Sequence, residues 1–171
     1  MSMSLFPATL MKYRNEAFIE TGTYDGRGII LALALGFKKI RSVELDPGRY
    51  DYALKYLGDT PGDWKVELDD SKNFIPRVLS TLEERATIWL DAHPISKDDV
   101  AFKDKLQWPL VGELRAIAQF SKRKDHTILV DDRHDFKLFG TNDDEVLGLI
   151  RAINPAYNAR IEANIIVGTC P

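Results

Sequence analysis

Ala17-Phe18-Ile19-Glu20-Thr21-Gly22-Thr23-Tyr24-Asp25-Gly26-Arg27-Gly28 places an apolar run, a buried acid and a glycine-rich turn in immediate succession. Ala17 to Ile19 reads as the end of a buried parallel strand that delivers Glu20 to its carboxyl end. The chain then turns through Gly22 and Gly26. Ile29 to Leu35 follows as a short buried helix, stopped by Gly36. A strand, a glycine turn and a helix open a nucleotide-binding α/β unit, because glycine lets the backbone approach a ligand and lets the helix pack closely on the strand.

The glycine spacing separates two cofactor classes. A dinucleotide site uses G-x-G-x-x-G so that a pyrophosphate can rest on helix N–H groups. Here the glycines stand at 22, 26 and 28, and a carboxylate precedes the first by two residues. A carboxylate repels pyrophosphate but suits a cationic amino-acid group. The E-x-G-x-Y-x-G string resembles motif I of the class I S-adenosylmethionine-dependent methyltransferases, in the variant of catechol O-methyltransferase and the macrocin-type sugar O-methyltransferases. The resemblance implies that Glu20, Gly22, Thr23, Tyr24 and Gly26 surround S-adenosylmethionine, with Glu20 toward its ammonium. Tyr24 would either cover the methionine moiety or simply pack.

Downstream, strands and helices alternate. A helical lead-in is expected over 4–16, and Lys38 to Glu44 reads as the second strand. Asp46-Pro47 caps a helix with proline at its first position, and Tyr50, Leu54 and Leu57 mark its inner face as far as Gly58. Trp64 to Leu68 alternates like a strand, and Asp70-Ser71 leads into a helix with Phe74, Ile75, Val78 and Leu82 inward. Thr87 to Leu90 is a buried strand ending at Asp91. Residues 94–107 form a charged, turn-rich insertion of the kind that frames a substrate. A helix is expected from Pro109 to Phe120 and a strand over Thr127 to Val130. Thr141-x-x-Asp144 resembles a capping box opening a helix through Ile153. Two short strands, 157–162 and 164–169, leave no room for a helix between them. The pattern predicts a single α/β domain over 1–171 with a parallel sheet and a terminal antiparallel hairpin. The resemblance supplies the order of a Rossmann-like, doubly wound, seven-stranded sheet, 3-2-1-4-5-7-6.

Doubly wound sheets bind ligands beyond the carboxyl ends of their strands, so the acids found there share one crevice. Glu44, in Val43-Glu44-Leu45-Asp46-Pro47, can accept both hydroxyls of a ribose, and Asp46 already fills the helix-capping post. The same string resembles the catechol-type segment, which adds Leu45 to the cofactor contacts. At Asp70 and Ser71 the resemblance places contacts to adenine, although both also suit a helix cap. Asp91, Asp131 and Asp132 end strands four and five. Three convergent carboxylates call for a cation or a proton between them, and hard oxygen ligands suit Mg²⁺. In the metal-dependent O-methyltransferases the matching positions hold Mg²⁺, whereas a loop turn at Asp132 and a cofactor contact at Asp91 are the plainer readings. His93 departs from the base residues of both resembling groups, yet an unperturbed pKa near neutrality suits an imidazole to that task. His134 is a further substrate or metal candidate, and His126 reads as structural. Trp108 either walls the substrate pocket or joins the core. Lys97, Lys103 and Lys105 read as a solvated face or as contacts to an anionic substrate.

Bulk properties narrow the partners. A net charge of −3 over 171 residues gives no reason to expect nucleic acid or an anionic membrane. The single cysteine, Cys170, excludes an internal disulfide and suits a reducing cytoplasm. Residues 1–16 lack a signal-peptide pattern, and the longest apolar run, Gly28 to Phe37, is too short to span a bilayer. The expected activity is methyl transfer to a hydroxyl of a small-molecule acceptor such as a sugar or vicinal diol. A non-catalytic S-adenosylmethionine-binding module and a nicotinamide-dependent oxidoreductase are the alternatives.

Overall fold

The structure is a computed structural model and describes residues 7–93 and 108–171. The insertion, with Lys97, Lys103 and Lys105, and the start of the helical lead-in lie outside the described residues. The strands are β1 (Ala17–Thr21), β2 (Lys39–Glu44), β3 (Trp64–Leu68), β4 (Ala86–Leu90), β5 (Thr127–Val130), β6 (Asn158–Glu162) and β7 (Ile165–Thr169). The helices are α1 (Pro7–Lys12), α2 (Arg27–Ala34), α3 (Pro47–Leu57), α4 (Ser71–Leu79), α5 (Leu110–Phe120) and α6 (Asp143–Ile153), with a 3₁₀ helix at Arg133–Phe139.

The seven strands form one sheet in the order β3-β2-β1-β4-β5-β7-β6, as expected. β1 pairs in parallel with β2 and β4, so that Thr21 lies beside Val43 on one side and Leu90 on the other. β7 runs antiparallel between β5 and β6. The strand order reverses between β1 and β4, which opens a crevice above their carboxyl ends.

Both faces of the sheet are covered. Ala17 and Ile19 face a core built with Phe74, Ile75, Leu114, Ile117, Val146 and Ile150 from α4, α5 and α6. Phe18, one residue out of phase, faces Leu10, Ile29, Ala32 and Leu57 from α1, α2 and α3. Every residue of β1 is therefore buried, the continuous apolar pattern of a strand enclosed on both faces. Burying a side chain such as Phe18 contributes about 1.5–3 kcal/mol.

Most helix boundaries follow from their caps. The Asp46 carboxylate accepts the Arg49 N–H ahead of Pro47, and the Asp70 carboxylate accepts the Lys72 N–H. The Thr141-x-x-Asp144 capping box does not form. Asn142 is the cap of α6, accepting the Glu145 N–H at 3.0 Å, while the Thr141 hydroxyl donates to the Glu145 carboxylate at 2.9 Å. The extended backbone of Asn142 aims its carbonyl at the open helix end and leaves Thr141 one residue too early. No described helix is long and apolar enough to cross a membrane.

Candidate active site

The turn after β1 is built on a buried carboxyl. Gly22 and Gly26 have φ of +85° and +83°, conformations that cost glycine little. A Cβ on Gly28 would fall 1.9 Å from Glu20 Oε1, so the bare backbone of α2 seats the acid directly beneath it. Glu20 is 4% exposed and accepts from the Ser42 hydroxyl at 2.7 Å, which itself lies 2.6 Å from the Thr23 hydroxyl. Burial pushes the Glu20 pKa up to about 8, the Ser42 bond opposing and the charges of Asp91, Glu44 and Asp25 adding. Glu20 thus braces the turn from below, with its carboxyl directed at Ser42 rather than standing open in the crevice. Ser42 and Gly28 flank the side chain from which the ammonium contact expected from the sequence would be made.

Glu44 ends β2 and is fixed in place. Its carboxylate accepts the N–H groups of Tyr24 (2.8 Å), Leu45 (3.0 Å) and Asp46 (2.9 Å). Two carboxylate oxygens offer about four acceptor positions, so three backbone donors leave room for a ligand hydroxyl at Oε2. Burial raises the Glu44 pKa against these bonds. Tyr24, at φ +53°, is 40% exposed at the rim, where the Arg49 guanidinium lies 5.4 Å from its ring centre. At the neighbouring strand end Asp70 caps α4 and the Ser71 side chain is buried.

One residue at this end escaped sequence reasoning. Glu113, on α5, is 1% exposed, and its carboxyl meets the Ser71 and Thr21 hydroxyls. Burial raises its pKa to about 7 in spite of those hydroxyls, with Asp70 and Asp91 adding repulsion. Glu113 Oε1 and Ser71 Oγ complete no hydrogen bond of ordinary geometry among the described residues. Such orphaned polar atoms beside the crevice fit a ligand with polar edges, as an adenosine has. The signal was available: Leu110, Glu113, Leu114 and Ile117 share one helical stripe, and only Glu113 interrupts it with charge.

Beyond β4 and β5 the chain brings Asp91, His93 and Asp132 together. His93 Nε2 lies 3.3 Å from Asp91 Oδ1 and in close contact with Asp132 Oδ2. The Trp89 indole N–H donates to Asp91 Oδ2 at 3.3 Å. Burial disfavours the His93 cation, yet the bonds to Asp132 and Asp91 outweigh it and raise the imidazole pKa to about 10. Burial also raises the Asp91 pKa, against its bonds to His93 and Trp89. As arranged here, Nε2 faces both carboxylates, a position from which it can donate to either. Asp132 has φ +50° and is 1% exposed, held at the start of the 3₁₀ helix.

Asp131 takes another course. Its Oδ1 accepts the Asp132 N–H at 2.7 Å, so it braces the loop instead of joining the other two acids. The group able to share one ion is Asp91, His93 and Asp132, whose donor atoms all lie within 4.8 Å of one another. The set expected from the sequence, Asp91, Asp131 and Asp132, shares Asp91 and Asp132 with this group. Trp108 meets the His93 ring edge-on at 6.4 Å and packs on Phe136 at 5.3 Å, so it walls the site and joins the core at once. His134 is exposed and pairs with Asn164 Oδ1 at 3.0 Å. His126 is structural as expected: its Nδ1 accepts the Ala86 N–H, which leaves Nε2 to donate to Ser121 Oγ.

No protein-family model matches the sequence, and no curated protein does. Solved structures do. The S-adenosylhomocysteine-bound methyltransferase PaMTH1 of Podospora anserina aligns with 96% of this chain and 75% of its own, at 14% identity and a TM-score of 0.66. The O-methyltransferase of Bacillus cereus, also bound to S-adenosylhomocysteine, aligns over 95% and 78% at 15% identity and 0.62. Spermidine synthase from Thermotoga maritima aligns over 95% of this chain but 55% of its own, at 12% identity and 0.60. At these identities the likeness establishes the fold: the Rossmann-like sheet of the class I methyltransferases.

Proposed function

We propose that this chain is an S-adenosylmethionine-dependent methyltransferase that acts on a hydroxyl oxygen of a small molecule. The observation that carries the reading is the Asp91–His93–Asp132 group beyond β4 and β5, with Glu44 at the end of β2, on a methyltransferase-type sheet. In this reading Glu44 accepts a ribose hydroxyl, Ser71 and Glu113 meet the adenine side, and the Gly22–Gly26 turn follows the methionine portion. Asp91 lies between cofactor and acceptor. Reaction is in-line displacement at the sulfonium methyl, and orientation of the two reactants supplies much of the rate.

The acceptor hydroxyl sits at the Asp91–His93–Asp132 group. With His93 Nε2 donating, a carboxylate of this group receives the hydroxyl proton, and the imidazolium keeps the neighbouring acid ionised. The same three residues fit a divalent cation as the alternative state: Nε2 would then give up its proton to ligate the ion, which would supply a Lewis acid that lowers the hydroxyl pKa. A cytoplasmic setting is part of this proposal, supported by the lone, buried Cys170.

The test is transfer of an isotopically labelled methyl group from S-adenosylmethionine to a panel of sugars, diols and catechols, with amines in parallel. Methylated hydroxyl products are expected, and Asp132→Asn should slow turnover by roughly 10²-fold or more while S-adenosylhomocysteine affinity holds. Transfer confined to amines would favour the acceptor class of an alkylated polyamine. Cofactor binding with no transfer to any acceptor would point to a binding module.

A further inference from the structure

The cation site at the crevice is not the all-oxygen cradle that Mg²⁺ prefers. Two of its donors are carboxylates, from Asp91 and Asp132, but the third is the Nε2 of His93. Magnesium takes oxygen ligands and keeps most of its water. Imidazole nitrogen instead shifts preference toward the later first-row ions, such as Co²⁺ and Zn²⁺. Asp131, the neighbouring acid, accepts the Asp132 N–H at Oδ1 and is not among the three residues whose donor atoms converge.

The site is also held in shape. The backbone N–H of His93 donates to the Asp91 carbonyl at 3.1 Å, which fixes the two side chains on one short turn. Trp108 limits rotation of the imidazole from its edge. Asp132 keeps its left-handed backbone, a conformation uncommon for a residue other than glycine, and this directs its carboxylate at Nε2. An ion about 2.1 Å from each ligand spans up to roughly 4.2 Å between them. The three donor atoms lie within 4.8 Å of one another, so an ion entering between them would replace the Nε2 proton and part His93 from Asp132 rather than gather distant groups.

We infer that Asp91, His93 and Asp132 form a mixed nitrogen–oxygen site that selects a transition-metal ion over Mg²⁺, with His93 as a ligand. The inference rests on the proposed methyltransferase reading only for its use: the cation would meet the acceptor hydroxyl. Its selectivity follows from the donors alone. It makes His93 the residue that determines which metal the crevice takes.

The experiment is calorimetric titration of the whole chain with ZnCl₂, CoCl₂ and MgCl₂, each run beside a titration with S-adenosylhomocysteine. The visible spectrum of added Co²⁺ reports nitrogen ligation independently of turnover. One Zn²⁺ or Co²⁺ per chain is expected, bound at least about tenfold more tightly than Mg²⁺, a difference of about 1.4 kcal/mol. His93→Gln should abolish that preference and alter the Co²⁺ spectrum while leaving S-adenosylhomocysteine binding intact, which also shows that the variant folds. His134→Gln should leave the metal preference and the nitrogen signature of the Co²⁺ spectrum in place, since His134 Nδ1 lies 3.9 Å from Asp132 Oδ1 but stands outside the three-residue group. Equal or tighter Mg²⁺ binding, an unaltered Co²⁺ spectrum in His93→Gln, or loss that follows His134 instead would overturn the inference. S-adenosylhomocysteine binding without any cation uptake would overturn it and leave the methyltransferase reading standing. Absence of both would remove the two together.

Discussion

Gly28 shows how one missing methyl group shapes the crevice. Its Cβ would lie 1.9 Å from Glu20 Oε1, so the buried acid would have to shift from its place beside Ser42. Gly28→Ala is expected to destabilise the protein by about 1–3 kcal/mol, the usual cost of overpacking. Urea unfolding measures this, and in Glu20→Ala/Gly28→Ala the added methyl should cost far less than in Gly28→Ala alone; full additivity would contradict the packing account. His126 makes a second prediction at this scale. Burial lowers its pKa to about 4, from 6.5 in an unfolded chain, so the folded state holds the neutral ring. The stability this contributes is present above pH 6.5 and is lost as pH falls toward 4, at about 1.4 kcal/mol per pH unit. Raised carboxyls such as Glu20 push the opposite way, so the comparison is between wild type and His126→Asn. The wild-type advantage should shrink between about pH 7 and pH 5, and a constant advantage would contradict the neutral buried ring. The sequence exposed which acids end strands, because each closes an apolar run. It did not expose where they point. Glu20 turns inward because Ser42 stands beside it on another strand, and Asp131 turns aside because the next residue's N–H is within reach.

At the scale of elements, caps were legible where they follow one local rule. Asp46 before Pro47 and Asp70 before Ser71 both cap as their chemistry dictates. The start of α6 offered two polar residues in a row, and the choice between Thr141 and Asn142 depended on backbone geometry that arrives only with the fold. Asn142→Ala should therefore lower stability by about 1 kcal/mol, while Thr141→Val should cost less. Thermal unfolding of the two variants decides it, and the reverse order would contradict the observed cap. The 3₁₀ helix at Arg133–Phe139 was not read at all, since a short tight turn has no amphipathic period to announce it. Yet that element sets the backbone of Asp132 and carries Phe136 beneath Trp108. Glu113 was missed for a related reason. It stands in the apolar stripe of α5, and a stripe is usually read for its apolar members.

For the whole molecule, the sheet order was the most legible feature, because alternating strands and helices with a helix-free final pair admit few topologies. The arrangement places one carboxylate at the end of β2 and two more beyond β4 and β5, on either side of the switch point. A nucleoside with a cationic methionine tail matches that distribution of charge, with Glu44 facing the ribose and Asp91 the sulfonium side. The order of strands does not distinguish such a ligand from a dinucleotide, and neither does an acid placed for a ribose at the end of β2; the glycine spacing does. The decisive measurement is calorimetric titration of the chain with S-adenosylhomocysteine, with NAD⁺ in parallel and Glu44→Gln as the comparison. The account predicts micromolar binding of S-adenosylhomocysteine alone, weakened about tenfold or more when Glu44 loses its charge. Uptake of NAD⁺ with no response to S-adenosylhomocysteine, or binding indifferent to Glu44→Gln, would contradict it.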